Sequence, residues 1–328
     1  MNLWRLNLAL AAALALAVAA AVAWGETSLA GADYARAFTD PASPAADVLW
    51  RIRLPRALTA ALVGGALGLA GAVMQGLLRN PLADPGVLGV SAGAGLGAAA
   101  AISLGLGATV GAVEASALGG ALATGAALSL LAARFREPET LILFGVALSA
   151  FCGALTSLVF NLSPSPITTT EVLTWLLGSA ANRDWVDLGR AALPMLLGAA
   201  LCAYAARGLL ALTLGDEAAA LSGLPMARLR AAAVAGAALL TGASVAISGV
   251  IGFVGLAAPH LVRAAAGSDP ARILTPSAFA GAVLLTAADL AARLIPTDVE
   301  LKLGVVTALF GAPLFALIAW RAARSWRT

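Results

Sequence analysis

The groups able to do chemistry are few in this chain, and their spacing argues against catalysis. Lys302 is the only lysine, and Leu301 precedes it. The Gly-Lys-Ser/Thr run that cradles nucleotide phosphates therefore cannot be formed. Leu221-Ser222-Gly223 lacks the second glycine of an ATPase signature. The single histidine, His260, stands beside Pro259 and reads as a structural hydrogen-bonding group. Cys152 and Cys202 both lie in apolar runs and suggest neither a disulfide framework nor a zinc site. No nucleophile elbow or catalytic carboxylate pair is present. We assign no catalytic residue, no metal ligand and no cofactor to this chain.

What remains is charge placed for contact. One arginine group, Arg51-Ile-Arg53-Leu-Pro55-Arg56, follows a polar stretch containing Pro41 and Pro44. The acids Asp216 and Glu217 lie between Gly215 and the Gly223–Pro225 run, flanked by Arg207, Arg228 and Arg230. A stiff, charged projection of this kind suits docking to another protein, and a solvated connecting loop is the plainer alternative. In Asn80-Pro81-Leu82-Ala83-Asp84-Pro85, two prolines in six residues break helix continuity.

The elements that position these groups must be membrane helices. Of 328 residues, 61% are hydrophobic and only 11% charged, which leaves no polar skin for a water-soluble fold. Net charge is +3, from arginines scattered along the chain and not from a basic tract, so nucleic acid is not expected as a partner. A span needs roughly 20 apolar residues. Candidate helices run over 5–24, 56–78, 90–109, 113–133, 140–160, 186–206, 228–248, 250–266, 274–294 and 303–322. The third and eighth are Gly-rich and abut their neighbours. The expectation is an all-α polytopic bundle of about ten spans forming a single domain over 1–328. Polar outer segments occupy 25–55 and 161–185, the latter with a short surface helix, and the inner loop covers about 207–230.

Arginine excess places both termini inside. The Arg51–Arg56 cluster then falls outside, against the rule, and invites a functional explanation. Trp4, Trp24, Trp185, Trp320 and Trp326 stand near span ends, as interfacial anchors do. Gly64, Gly65, Gly68, Gly71 and Gly76 read as helix-packing positions, since small residues let helices approach closely in lipid.

Several motifs in order along the chain resemble one family. They are Arg53-Leu-Pro55-Arg56, Gln75-Gly76, Arg79-Asn80-Pro81-Leu82-Ala83-Asp84-Pro85-Gly86, Gly252-Phe253-Val254-Gly255, Pro259-His260, Asp289 to Arg293, and Glu300-Leu301-Lys302-Leu303-Gly304. Together they make the chain similar to the membrane-spanning subunit of ABC importers for ferric siderophores, heme and vitamin B12, the FecCD family. The resemblance implies a homodimer of permeases in the bacterial cytoplasmic membrane. It also implies two cytoplasmic ATPase subunits, which bind ATP and magnesium, and a soluble binding protein at the outer face. It gives Arg53, Arg56 and Arg293 the role of docking acidic residues of that binding protein. It makes Gly215, Asp216, Glu217 and Gly223 the loop that contacts the ATPase, and makes Asn80, Pro81 and Pro85 a turn beside the pathway. Ser222 and Lys302 depart from the family pattern, and Lys302 is given no transport role. Among substrates a ferric siderophore is expected first, with cobalamin or heme as alternatives.

An ion-driven secondary transporter is the rival class. It predicts intramembrane acids in broken helices, for which Glu114 and Asp289 are the only candidates.

Overall fold

The computed structural model describes residues 2–135, 137–163, 165–297 and 299–325. Ten helices run along the bundle: α1 (Leu3–Ala23), α4 (Leu54–Leu77), α5 (Val90–Ser103), α6 (Ala112–Arg134), α7 (Pro138–Asn161), α9 (Trp185–Leu212), α11 (Met226–Ser248), α12 (Val254–Ala266), α13 (Leu274–Leu294) and α14 (Leu303–Ser325). Short helices α2 (Gly31–Thr39), α3 (Pro44–Ala46), α8 (Pro166–Leu176) and α10 (Asp216–Leu221) join them. Among the described residues, seven helices are long and apolar enough to cross a membrane.

Two expected spans are shorter than a bilayer. The third, placed at 90–109, is a helix of 14 residues, about 21 Å long at 1.5 Å per residue. The eighth, placed at 250–266, is helical only from Val254, over 13 residues. Each follows a bend that cannot be helical. Pro81 and Pro85 occupy the first bend, and Gly249 and Phe253 take positive φ in the second.

Segment 25–55 is also more ordered than a polar stretch. α2 closes over α1, with Tyr34 Oη donating to the Ala23 carbonyl at 2.5 Å. Phe38 and Trp50 meet edge to face at 5.1 Å. From Asp47 to Arg53 the chain is π-helical and runs directly into α4. α8 does form within 161–185, but it does not lie free on the surface. It packs on α5, and its C-terminal end sits against Gly249 and Gly304.

α4 and α11 form the centre. About 72% of the apolar window in Pro44–Leu77 and 83% of that in α11 are buried, against 11% in α1 and in α7. The pairing around them is reciprocal: α4 packs on α13 as α11 packs on α6, and α5 on α6 as α12 on α13. Two units, α4–α7 and α11–α14, thus repeat one arrangement. α4 starts at the end that holds Arg56, whereas α11 finishes there, so the units run in opposite senses. Sequence reading did not detect this repeat, because it lies in which helices touch and not in residue identity.

Small residues make the approach possible. A Cβ on Gly64 would fall 2.3 Å from the Gly281 carbonyl, and one on Gly281 would fall 2.2 Å from that of Gly64. At the α6–α11 seam, Cβ atoms on Gly125 and Gly242 would meet Ala238 and Ala121 at 2.4 and 2.5 Å. The packing role expected of the α4 glycines is what the contacts display. Trp4, Trp24 and Trp185 are exposed at helix ends, as anchors should be. Trp326 and the side chain of Trp320 lie outside the described residues.

Candidate functional site at two ends of the bundle

At one end, α4, α13 and the linker before α14 bring together side chains more than 230 positions apart. Arg56, in the first turn of α4, donates from Nε to Asp289 Oδ1 at 3.0 Å and from Nη2 to Glu300 Oε1 at 2.9 Å. Arg293, one helical turn beyond Asp289, places Nε 3.1 Å from Asp289 Oδ2. Asp289 is only 1% exposed, so its charge is compensated by two guanidinium groups and not by water. It is therefore an ion-pair partner and not a cation site. Ser179 Oγ donates to Glu300 Oε1, and Lys302 Nζ to Glu300 Oε2, each at 3.0 Å. Burial alone would raise the Glu300 carboxyl. The hydrogen bond from Lys302, the charge of Arg56 and the hydrogen bond from Ser179 outweigh it and hold the group below its ordinary range.

Arg53, Arg56 and Arg293 do stand together, as expected, but most of their donors point inward. Arg53 is 4% exposed and donates Nη1 to the Val22 and Ala23 carbonyls at 3.1 and 2.7 Å, and Nη2 to that of Thr27. Arg293, 7% exposed, donates Nη2 to the Ala21 carbonyl at 3.1 Å. These two cations terminate α1, meeting carbonyls that lack intrahelical donors and the negative end of the helix dipole. Arg56 is at the edge, 12% exposed. Within this cluster the four cations Arg53, Arg56, Arg293 and Lys302 outnumber Asp289, Glu300 and nearby Glu26 by one, while Glu114, Glu171, Asp184 and Asp187 add acidic charge to the rest of this end.

Beside this cluster opens a cavity of about 770 Å³ between α8 and the start of α14. Thr170, Thr174, Ser179, Ser248 and Asn182 offer hydrogen bonds on a surface that is otherwise mostly apolar, with Trp175 the one aromatic group. Glu300 and Lys302 form part of its wall. Lys302, which the sequence left without a role, is thus the cation that closes the Glu300 site toward the cavity.

At the opposite end, α10 projects from the bundle between Gly215 and Gly223, with φ of +96° and +73°. Asp216 accepts from Arg79 Nη2 at 2.6 Å and is also hydrogen-bonded by Arg230 Nη2. The two acids expected to meet a partner therefore differ. Asp216 fastens α10 to the ends of α4 and α11, whereas Glu217 is exposed. Leu214 and Leu221 are 76% and 88% exposed, so the outward surface of α10 is more apolar than its sequence implied. Arg79 was not singled out from the sequence as a partner of Asp216. Its φ of +50°, just before Asn80, is what aims it there.

Between the ends, the two bends meet. Asn80 Oδ1 accepts from Leu82 N at 2.9 Å and Asp84 Oδ1 from Gly86 N at 2.7 Å, so each side chain closes the turn with Pro81 and Pro85. Gln75 Nε2 donates to the Gly255 carbonyl at 3.2 Å, and Arg263 Nη2 to Gln75 Oε1 at 2.7 Å. Both bonds tie α4 to α12.

Both the sequence and the fold have known relatives. The FecCD transport family matches residues 13–321. The chain is 42% identical over 291 residues to an uncharacterized ABC transporter permease protein, YvrB, of Bacillus subtilis, covering 86% of this chain and 81% of that one. It is also 42% identical over 279 residues to the vitamin B12 import system permease protein BtuC of Escherichia coli O157:H7, covering 84% of each. The fold superposes with a TM-score of 0.86 on a metal-chelate type ABC transporter solved in an inward-facing conformation. That match has 32% identity and covers 97% of this chain and 99% of that one. The chain therefore belongs to the FecCD transport family, as the membrane-spanning permease of an ABC importer.

Proposed function

We propose that this permease passes a bulky, hydrogen-bonding metal chelate, a ferric siderophore or cobalamin, into the bacterial cytoplasm by alternating access. The observation that carries the reading is the cavity of about 770 Å³ at the Arg56 end. Four hydroxyl side chains and the Asn182 amide interrupt its mostly apolar surface, which suits a bulky ligand that presents amides, hydroxamates or hydroxyls on an apolar frame. Heme, largely apolar and planar, finds only Trp175 there for stacking. Relatives named for vitamin B12 import support cobalamin as strongly as the metal-chelate neighbour supports a siderophore.

In this reading a soluble binding protein docks at the Arg56 end, which faces outward. The excess cation of the Arg53, Arg56, Arg293 and Lys302 cluster offers an acidic partner a local pairing point. Arg56, at the edge of the cavity, exchanges its internal carboxylates for acids of the partner, while Arg53 and Arg293 hold the surface from beneath. The partner ATPases engage α10 through Leu214, Glu217 and Leu221. Asp216 then passes their closure to α4 and α11. Two copies of the chain enclose the pathway, covering the exposed apolar residues Leu309 and Phe310 of α14.

Uptake in proteoliposomes tests this, with the ATPase and binding protein present and a ferric hydroxamate, cobalamin and heme compared. ATP-dependent entry of the hydroxamate or of cobalamin supports the reading. Entry of heme alone, or entry that follows an ion gradient without ATP, overturns it.

A further inference from the structure

A second cavity, of about 210 Å³, lies at the Arg56 end between the starts of α6 and α9, with the end of α11 as its floor. Its two levels differ in chemistry. The floor is apolar, made by Leu118, Pro194, Ala246 and Ile247. The rim carries Glu114, Arg183, Asp187 and Arg190, two charges of each sign. These charges are loosely paired. Arg183 Nη1 stands 3.4 Å from Glu114 and 4.0 Å from Asp187, and Arg190 Nη1 stands 3.8 Å from Asp187. The Arg56 network closes at 2.9 to 3.0 Å by comparison. Arg183 Nε is buried and has no hydrogen-bond acceptor among the described residues. Pro194 supplies no N–H to the Arg190 carbonyl one turn earlier, which leaves a further acceptor at the rim.

The level of the cavity identifies what reaches it. Glu114 and Asp187 are in the first turns of their helices, and Trp185, 50% exposed, marks the membrane interface beside them. Exposed Leu193 and Leu122 continue the apolar surface toward the bilayer centre.

We infer that this cavity holds a phospholipid with a phosphoethanolamine headgroup, its phosphate between Arg183 and Arg190 and its ammonium at Glu114 and Asp187. One acyl chain lies over Leu118 and Pro194. A primary ammonium donates hydrogen bonds to both acids. A choline headgroup has no such protons, and a glycerol headgroup leaves the acids facing a net negative lipid. Arg183 also lines the larger cavity, so the lipid contacts the wall of the transport site.

Native mass spectrometry of the detergent-solubilised full chain with its partner subunits tests this. Phosphatidylethanolamine, phosphatidylglycerol and phosphatidylcholine compete for the site. The ethanolamine lipid is expected to be retained preferentially, and Arg190→Ala and Glu114→Gln are each expected to weaken it about fivefold, the effect of one headgroup charge. Both positions are partly exposed with long ion pairs, so neither change threatens the fold. Ala115→Phe, which fills the cavity and leaves every charge, is expected to release the lipid whatever its headgroup. No headgroup preference, a preference unchanged in both charge variants, or equal binding of chain-free glycerophosphoethanolamine overturns the inference.

Discussion

Arg79 donates to Asp216 at 2.6 Å across 137 positions of sequence, tying the projecting helix α10 to the end of α4. Arg230 holds the second oxygen of the same carboxylate from the start of α11. The two helices at the centre of the bundle are thus joined through one side chain at the surface. A force applied to α10 reaches both of them without passing through lipid-facing elements.

Asp216→Asn should therefore lower transport more than it lowers stability. The Arg79 pair, 34% and 27% exposed, is worth about 0–1 kcal/mol, and the asparagine still offers buried Arg230 a hydrogen-bond acceptor. ATPase activity should persist while substrate uptake falls, because hydrolysis no longer moves α4. Glu217→Gln should instead weaken ATPase binding, being exposed and tied to neither helix. Parallel measurement of ATP turnover and uptake in reconstituted complexes separates the two. Equal loss of both activities in Asp216→Asn would refute the division.

α1 is only 11% buried in its apolar window, yet two cations close its end. Arg53→Met should leave the Val22 and Thr27 carbonyls without this donor, and Ala23 with Tyr34 Oη alone, at about 1–3 kcal/mol for buried groups left unpaired. The expected result is faster proteolysis in the 24–30 linker with little change in the melting temperature of the rest. Arg56→Met acts elsewhere. It strips Asp289 of a partner and should cost about 3–5 kcal/mol in stability, as breaking a buried pair does. Melting in detergent should rank Arg56→Met below Arg53→Met.

The glycines give opposite expectations according to their neighbours. A Cβ on Gly71 would lie 1.9 Å from the Gly255 carbonyl, where both partners are backbone and cannot yield cheaply. Gly71→Ala should cost at least about 1–3 kcal/mol through overpacking and should separate the α4 and α12 bend. Gly119→Ala meets nothing within 4 Å and should be neutral or slightly stabilising. Expression and melting of the two variants side by side check this. Equal tolerance would mean the seam is looser than its geometry.

Much of this was legible in the sequence, and what was not has physical causes. Low charge and run length marked the long helices, and Pro81 and Pro85 marked one place where a helix fails, whereas the expected span over 250–266 ran through the second bend. Arg53, Arg56 and Arg293 could be grouped, and the four-residue step from Asp289 to Arg293 could have indicated a pair on one helix face. Burial could not be read, since polar residues at a span end look alike whether they face water or a neighbouring helix. The segment 25–55 read as a loop because its core is small, only Ala37, Ala45, Ala46 and Leu49. Asp216 looked like a contact residue because Arg79, one of its two partners, is 137 positions away. Its burden is internal.

Glu300 makes the mouth sensitive to acid. Its carboxylate joins Arg56 on α4, Ser179 after α8 and Lys302 before α14, and its folded-state pKa lies below the ordinary value of 4.5. A carboxylate whose pKa is depressed on folding contributes stability that is fully present above the unfolded pKa. That contribution disappears as pH falls through the lower folded value. Protonation removes both ion pairs of Glu300 at once, so α8 and α14 should loosen at the cavity wall. Melting temperature should therefore fall on acidification below about pH 4.5, and Glu300→Gln should melt lower at neutral pH with a flatter acid limb. A thermal-melt series from neutral to acid pH on both proteins checks the sign. An identical acid limb in Glu300→Gln would assign the effect to other carboxylates.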